Sequence, residues 1–173
     1  YKPGRENPDK SREMDWGQGP ARENIILNNY QDQSFIGQKQ VFETMYLVQD
    51  SLRKINWKYT SDTRKIAGFN CRKATGIIMD SVFVFAFFTD EIIVTGGPEG
   101  FNGLPGMILG VAIPRMHTTW FATKVELAEI SPKDLVAPTK GRKTTINDLE
   151  KSLQGSLKDW GKWAQRNIWQ IML

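Results

Sequence analysis

Apolar and polar positions alternate with a period of two through the middle of the chain, then switch to steps of three and four near its end. The first pattern predicts strands and the second predicts helix. Short β-rich segments stand at 24–30 (NIILNNY) and 40–50 (QVFETMYLVQD). At 54–60 (KINWKYT), Ile55, Trp57 and Tyr59 alternate with Lys54, Asn56 and Lys58, as in a half-buried strand. The polar run 61–65 (SDTRK) reads as a turn. Segment 66–79 (IAGFNCRKATGIIM) is long and interrupted by Gly68 and Gly76, and Asp80-Ser81 make the next turn. In 81–92 (SVFVFAFFTDEI), Phe83, Phe85 and Phe87 fall on one face, and Val82, Val84, Ala86 and Phe88 on the other. Both faces are apolar, so this strand is expected between two layers. Further strands are read at 107–113 (MILGVAI) and 118–130 (TTWFATKVELAEI).

Toward the end of the chain, Ile146, Leu149, Leu153, Leu157, Trp160, Ala164 and Ile168 follow helical spacing. Thr145 with Asp148 three residues on resembles a capping box with Asp in place of Glu. Gly155 is expected to separate two helices or to weaken one. Three regions follow: an irregular arm over 1–23 that Trp16 could pin to the body, an antiparallel β-sheet domain over 24–136, and a linker with an amphipathic helix over 137–173. Hairpin-like spacing favours antiparallel pairing over crossovers. The fold expected is mainly β (α+β): one curved antiparallel sheet with a C-terminal helix packed on it.

One stretch departs from both periods. Residues 97–109, GPEGFNGLPGMIL, hold four glycines and two prolines before turning apolar. A phosphate loop would continue into a helix and carry Lys, and this stretch runs into a strand without one. A nucleophile elbow needs Gly-x-Ser-x-Gly, which is absent. Turn architecture fits better. Gly96-Gly97-Pro98 suits one tight turn, and Leu104-Pro105-Gly106 suits a second of type II. Phe101 and Leu104 would anchor the connection on the sheet. Gly97, Pro98, Phe101, Gly103, Leu104, Pro105 and Gly106 are thus assigned a structural role.

Composition narrows the chemistry. The 173 residues are ordinary globular material, 40% hydrophobic and 24% charged. A net charge of +4 falls short of a nucleic-acid binder's concentrated patch. One cysteine, Cys71, excludes an internal disulfide, and one histidine, His117, argues against a His-based zinc centre. The longest apolar run, 82–88, is too short to span a membrane. The chain opens on Tyr1 rather than Met, so a preceding piece such as a removed signal peptide is an expectation.

At 97–109 the chain closely resembles the signature of the GLPGLI family, also called Porph_ging, of Bacteroidota. Other pieces match in order: INWKY (55–59), IAGFNCRKAT (66–75), FFTDEI (87–92) and FATKVE (121–126). Met107 stands where the motif name has Leu, and Phe87 where Trp is expected. The resemblance implies an exported protein of the periplasm or outer membrane, without a defined activity. By fold analogy it implies a half-barrel like that of lipoprotein carriers.

Candidate sites follow. Trp57, Phe83, Phe85, Phe87 and Trp120 are taken as an apolar ligand-binding face, giving a non-enzymatic carrier or accessory to an outer-membrane partner. One alternative is a hydrolase using strand-end carboxylates, Asp90 and Glu91 with Glu99, Glu126 or Asp62. A second is a copper- or iron-linked soft site of Cys71, Met107, Met116 and His117. A third is a docking module using Trp160, Trp163 and Trp169. Arg53, Lys54, Lys58, Arg64, Lys65, Arg72 and Lys73 form a basic zone suited to an anionic envelope surface, with nucleic acid disfavoured. No catalytic residue, metal ligand or cofactor is assigned.

Overall fold

The computed structural model describes residues 24–126, 128–129, 131, 133 and 135–173, apart from the Lys162 side chain. The arm expected over 1–23, with Trp16, lies outside the described residues.

Nine strands among these residues form two open sheets. The first orders β1 (Ile25–Asn29), β2 (Ser34–Val41), β3 (Thr44–Ser51) and β9 (Arg142–Thr144). The second runs in sequence order: β4 (Lys58–Ile66), β5 (Phe69–Ile78), β6 (Val82–Thr89), β7 (Met107–Ile113) and β8 (Thr118–Phe121). Pairing is antiparallel except for β9, which lies parallel to β3. Helices α1 (Ile146–Ser156) and α2 (Lys162–Met172) complete the chain. The mainly β fold with C-terminal helix is therefore observed, with its strands divided between two sheets rather than gathered in one.

Turn chemistry explains where the strand boundaries depart from expectation. Segment 40–50 is a hairpin, because Phe42 takes φ 52 and reverses the chain between Val41 and Thr44. The expected turn at 61–65 is strand, with a bulge between Tyr59 and Thr63. The reversal falls at Ala67-Gly68, φ 49 and 92, where both central residues have the positive φ of a type I′ turn. Ile55 and Trp57 precede β4 rather than belonging to it. Strand β8 stops at Phe121, short of the expected 130.

Each sheet buries its main core face under a different cover, and the five-stranded sheet carries a second, smaller buried cluster of Ile66, Cys71 and Leu109 beside Phe87 and Phe121. On the four-stranded sheet, Val41 and Val48 meet Leu149, Leu153 and Leu157 from the α1 region and Ile168 and Ile171 from α2. Thr145 caps α1 as expected, its Oγ1 accepting from Asp148 N at 3.1 Å. Asp50 of β3 adds a second acceptor, taking Ile146 N at 3.0 Å. Two helices are separated as expected: α1 ends at Ser156, one residue beyond Gly155, and after the turn at 158–160 the chain changes direction at Gly161, φ 54, before α2. On the five-stranded sheet, Ala74, Val84, Ala86, Phe88 and Val111 lie beneath Phe101 and Leu104 of the glycine-rich stretch. Leu173 and Trp169 reach the same cluster, so the end of the chain touches both cores.

Candidate functional site

The glycine-rich stretch is built by close approach. A Cβ on Gly106, which has φ 141, would stand 2.0 Å from Thr89 O, a backbone atom. A Cβ on Gly97 would meet Ile108 Cβ at 2.8 Å. Phe101 and Leu104 are each 1% exposed. Asn102 is buried, donates to Gly100 O at 2.8 Å, and its carbonyl accepts Trp57 Nε1 at 2.8 Å. Gly103, φ 88, runs beside that indole. The first turn differs in place and type from the one expected, and the second lies where expected but differs in type. The first is Pro98–Phe101, closed by Phe101 N to Pro98 O at 3.0 Å with positive φ at Glu99 and Gly100. The second closes from Gly106 N to Leu104 O at 2.9 Å, a three-residue turn around Pro105 rather than a type II turn.

The Glu99 turn leans over a pocket of about 30 Å3, lined by Asn28, Lys39, Leu52, Arg53, Glu99 and Ile171 among others. Strand β2 delivers Lys39 to the covered side of its sheet, 5% exposed. Its Nζ donates to Ile171 O at 3.1 Å, and Arg53 donates to Met172 O, so two cations hold the last turn of α2. Burial lowers the Lys39 pKa to about 8; Glu99 opposes this and Arg53 adds to it. Burial also lowers the Arg53 pKa. Asn24 Nδ2 donates to Glu99 at 2.9 Å, leaving the buried Oδ1 atoms of Asn24 and Asn28 without a hydrogen-bond partner. The pocket has room for water-sized molecules. Sequence reading missed it because its partners are far apart in the chain, Lys39 and Ile171 by 132 positions.

The five aromatics expected to share one ligand face do not. Phe83, Phe85 and Phe87 alternate with the core-facing residues of β6, whereas Trp57 and Trp120 pack against the core cluster that contains Val84 and Phe88. On the outer side, Lys73 Nζ lies 4.9 Å from the Phe85 ring centre, and the Arg64 guanidinium 5.9 Å from that of Phe87. Phe83 is 57% exposed.

The expected carboxylates are taken up locally. Asp90 pairs with Arg72 at 3.1 Å and Asp62 with Lys73 at 2.9 Å. Glu91 accepts Asn70 N at 3.1 Å, and Glu126 pairs with Lys124. These pairings also divide the expected basic zone. Cys71 and Met107 share one cluster, while Met116 lies in another and His117 sits in an exposed turn with φ 51. Burial, then Glu91, raises the Cys71 pKa, which keeps the thiol protonated. Among the described residues no three His, Cys, Asp or Glu side chains group to hold a metal. No helix among them is long and apolar enough to cross a membrane. Of the C-terminal tryptophans, Trp169 packs inward while Trp160 and Trp163 are 49% and 68% exposed.

Residues 18–149 match the family model described as N-glycanase peptide, N-terminal domain. The chain belongs to the family of N-glycanase N-terminal domains. Two solved structures share its fold, both of PNGF-II, in the P21 and C2 space groups. The first has a TM-score of 0.56 at 18% identity over 78% of this chain. The second has 0.54 at 18% identity over 90%. The chain spans about a quarter of the length of these structures, 25% and 26%. No curated protein matches it.

Membership in the N-glycanase family overturns the GLPGLI (Porph_ging) resemblance, and with it the envelope carrier role that rested on that resemblance. The physical reason lies in Gly106 and Gly97. A loop crossing this close to a strand needs glycine wherever a Cβ would strike backbone or core. The motif reports that clearance, which separate families can share.

Proposed function

We propose that this domain serves an N-glycanase, an enzyme of N-linked glycans, as its N-terminal domain. The observation that carries the reading is the family match over 18–149, which takes in all nine described strands. The shared fold with PNGF-II supports it. We place bond cleavage outside these 173 residues. The chain's share of the PNGF-II length supports this division, as does the local pairing of Asp62, Asp90 and Glu91.

The test compares this chain with the longer protein in which the reading places it. Both are incubated with an N-glycosylated protein, and released glycan is measured by mass spectrometry. Release by the longer protein and none by the chain is expected. A folded longer protein that releases nothing overturns the N-glycanase reading. Release by the chain alone overturns the division of labour.

A further inference from the structure

We propose that Phe42, Trp160 and Trp163 form a stacking platform for the pyranose rings of an N-linked glycan. The ligand class rests on the N-glycanase reading; the place rests on geometry of its own. Phe42 is 47% exposed, Trp160 49% and Trp163 68%. The aliphatic residues of the same helical region are turned inward: Leu149, Leu153, Leu157, Ile168 and Ile171 are all buried. The large apolar side chains exposed in the helical region are therefore aromatic rings, and one of them, Trp160, is in contact with the exposed ring of Phe42.

The rings stand on firm supports. Phe42 occupies the β2–β3 hairpin tip, where Gln40 Nε2 donates to its carbonyl at 2.7 Å. Its ring meets that of Trp160 at 5.8 Å and 61°, an edge-to-face contact. Trp160 closes the turn 158–160, its N–H bonded to Leu157 O at 3.0 Å. Gly161, φ 54 and ψ −132, then redirects the chain so that Trp163 opens α2 toward solvent. Asn167 Nδ2 donates to the Trp163 carbonyl at 2.8 Å. The contact between Phe42 and Trp160 restrains those two rings, and a restrained ring loses less freedom on binding.

The chemistry suits a sugar. One face of a pyranose is a sheet of C–H bonds that packs on an aromatic face, and its hydroxyl edge needs donors and acceptors. Glu43, Lys158 and Asp159 are exposed beside the rings in sequence, Lys162 adjoins Trp163 in the chain, and the indole N–H groups add donors. This rim carries both signs, whereas an anionic bilayer selects clustered Lys and Arg. The charge pattern therefore favours a neutral, hydroxyl-rich ligand over a membrane surface.

The 173-residue chain is titrated with a free N-linked oligosaccharide, following tryptophan fluorescence and indole N–H resonances. A saturable response is expected. Trp163→Ala and Trp160→Ala each weaken it about tenfold, about 1.4 kcal/mol, with unchanged circular dichroism. Ile93→Ser, at a residue 89% exposed in another loop, leaves it unchanged. The proposal is overturned by a wild-type protein that shows no saturable response, by an equal loss in Ile93→Ser, or by Trp163-dependent binding to anionic vesicles or a protein without glycan binding. Glycan release by the longer protein is scored separately. Release without domain binding removes the platform and leaves the N-glycanase reading. Binding without release does the reverse.

Discussion

The two sheets solve the same problem by opposite means. The four-stranded sheet buries its face under α1 and α2, whereas the five-stranded sheet buries its face largely under irregular chain. A helix satisfies its own backbone hydrogen bonds, so it needs only an apolar stripe to serve as a lid. A loop brings unpaired backbone groups to the core and must place each one. Here Asn102 supplies that service, tying Gly100 O and Trp57 Nε1 together through its side chain and carbonyl. The loop must also come close, and it does so at glycines. Helix-covered core should thus fail gradually under substitution, and loop-covered core should fail abruptly at a few positions.

Gly106→Ala breaks the loop-covered side hardest. Its methyl would sit 2.0 Å from a backbone oxygen that cannot rotate away, at φ 141. Strain and overpacking act together, and a loss above about 4 kcal/mol is expected. Chemical denaturation should find the variant unfolded or nearly so. A loss under about 1 kcal/mol would mean the loop can lift from β6, and the contrast between the covers would go.

Leu149→Ala is the counterpart under the helices. Leu149 is 2% exposed against Val41 and Val48. Truncation should cost about 3 kcal/mol, as lost transfer energy plus a cavity. The chain should stay folded, with a lower denaturation midpoint and an unchanged m-value. A fall in m would show the helices peeling away as a unit.

The same difference in cover decided what the sequence revealed. Leu149, Leu153, Leu157 and Ile168 announced the helical lid through their spacing, and 107–113 announced β7 with its observed bounds. Ile55 and Trp57 looked like strand because they alternate. They are instead a connection lying over Gly76, where a Cβ would stand 2.7 Å from Ile55 Cγ2. Strand β4 begins beyond them and is exposed along most of its length, so it carries no apolar period to read. Strand β2 escaped notice because Lys39 stands at a covered position and interrupts the alternation. The pocket at Lys39 was illegible for a further reason, since only folding brings Asn24 to Glu99 across 75 positions. Trp160 and Trp163 were visible as residues, but their exposure depends on Gly161, and the sequence pointed to Gly155 instead.

Lys39 gives the comparison a pH axis, because it is a charge placed under the helical lid. Its pKa is lowered from 10.5 to about 8 by burial. Between those values the unfolded chain binds more protons than the folded one, so stability rises with pH across that window. Below pH 8 both states are protonated, and the burial penalty is present in full. The window corresponds to about 3 kcal/mol. Lys39→Met removes the charge and keeps the volume, at the loss of the bond to Ile171 O. Thermal midpoints from pH 7 to 11 should show the wild type gaining on the variant as pH rises. Parallel curves would mean Lys39 is not buried in solution.

The smallest effects separate two glycines of the helical lid, and they should have opposite signs. Gly155 lies inside α1, with open space where a Cβ would stand. Alanine there restricts the unfolded chain without a clash and should stabilise by about 0.5–1 kcal/mol. Gly161 also has open space around it, but φ 54 with ψ −132 is a conformation that side chains resist. Alanine there should destabilise by about 1–2 kcal/mol and disturb Trp160 and Trp163, the rings it separates. Denaturation of the two variants side by side measures both signs. Equal signs would place the break in the helical lid elsewhere than Gly161. Opposite signs would show that even under helices the chain depends on one glycine, where the cover changes direction and the indoles come to the surface.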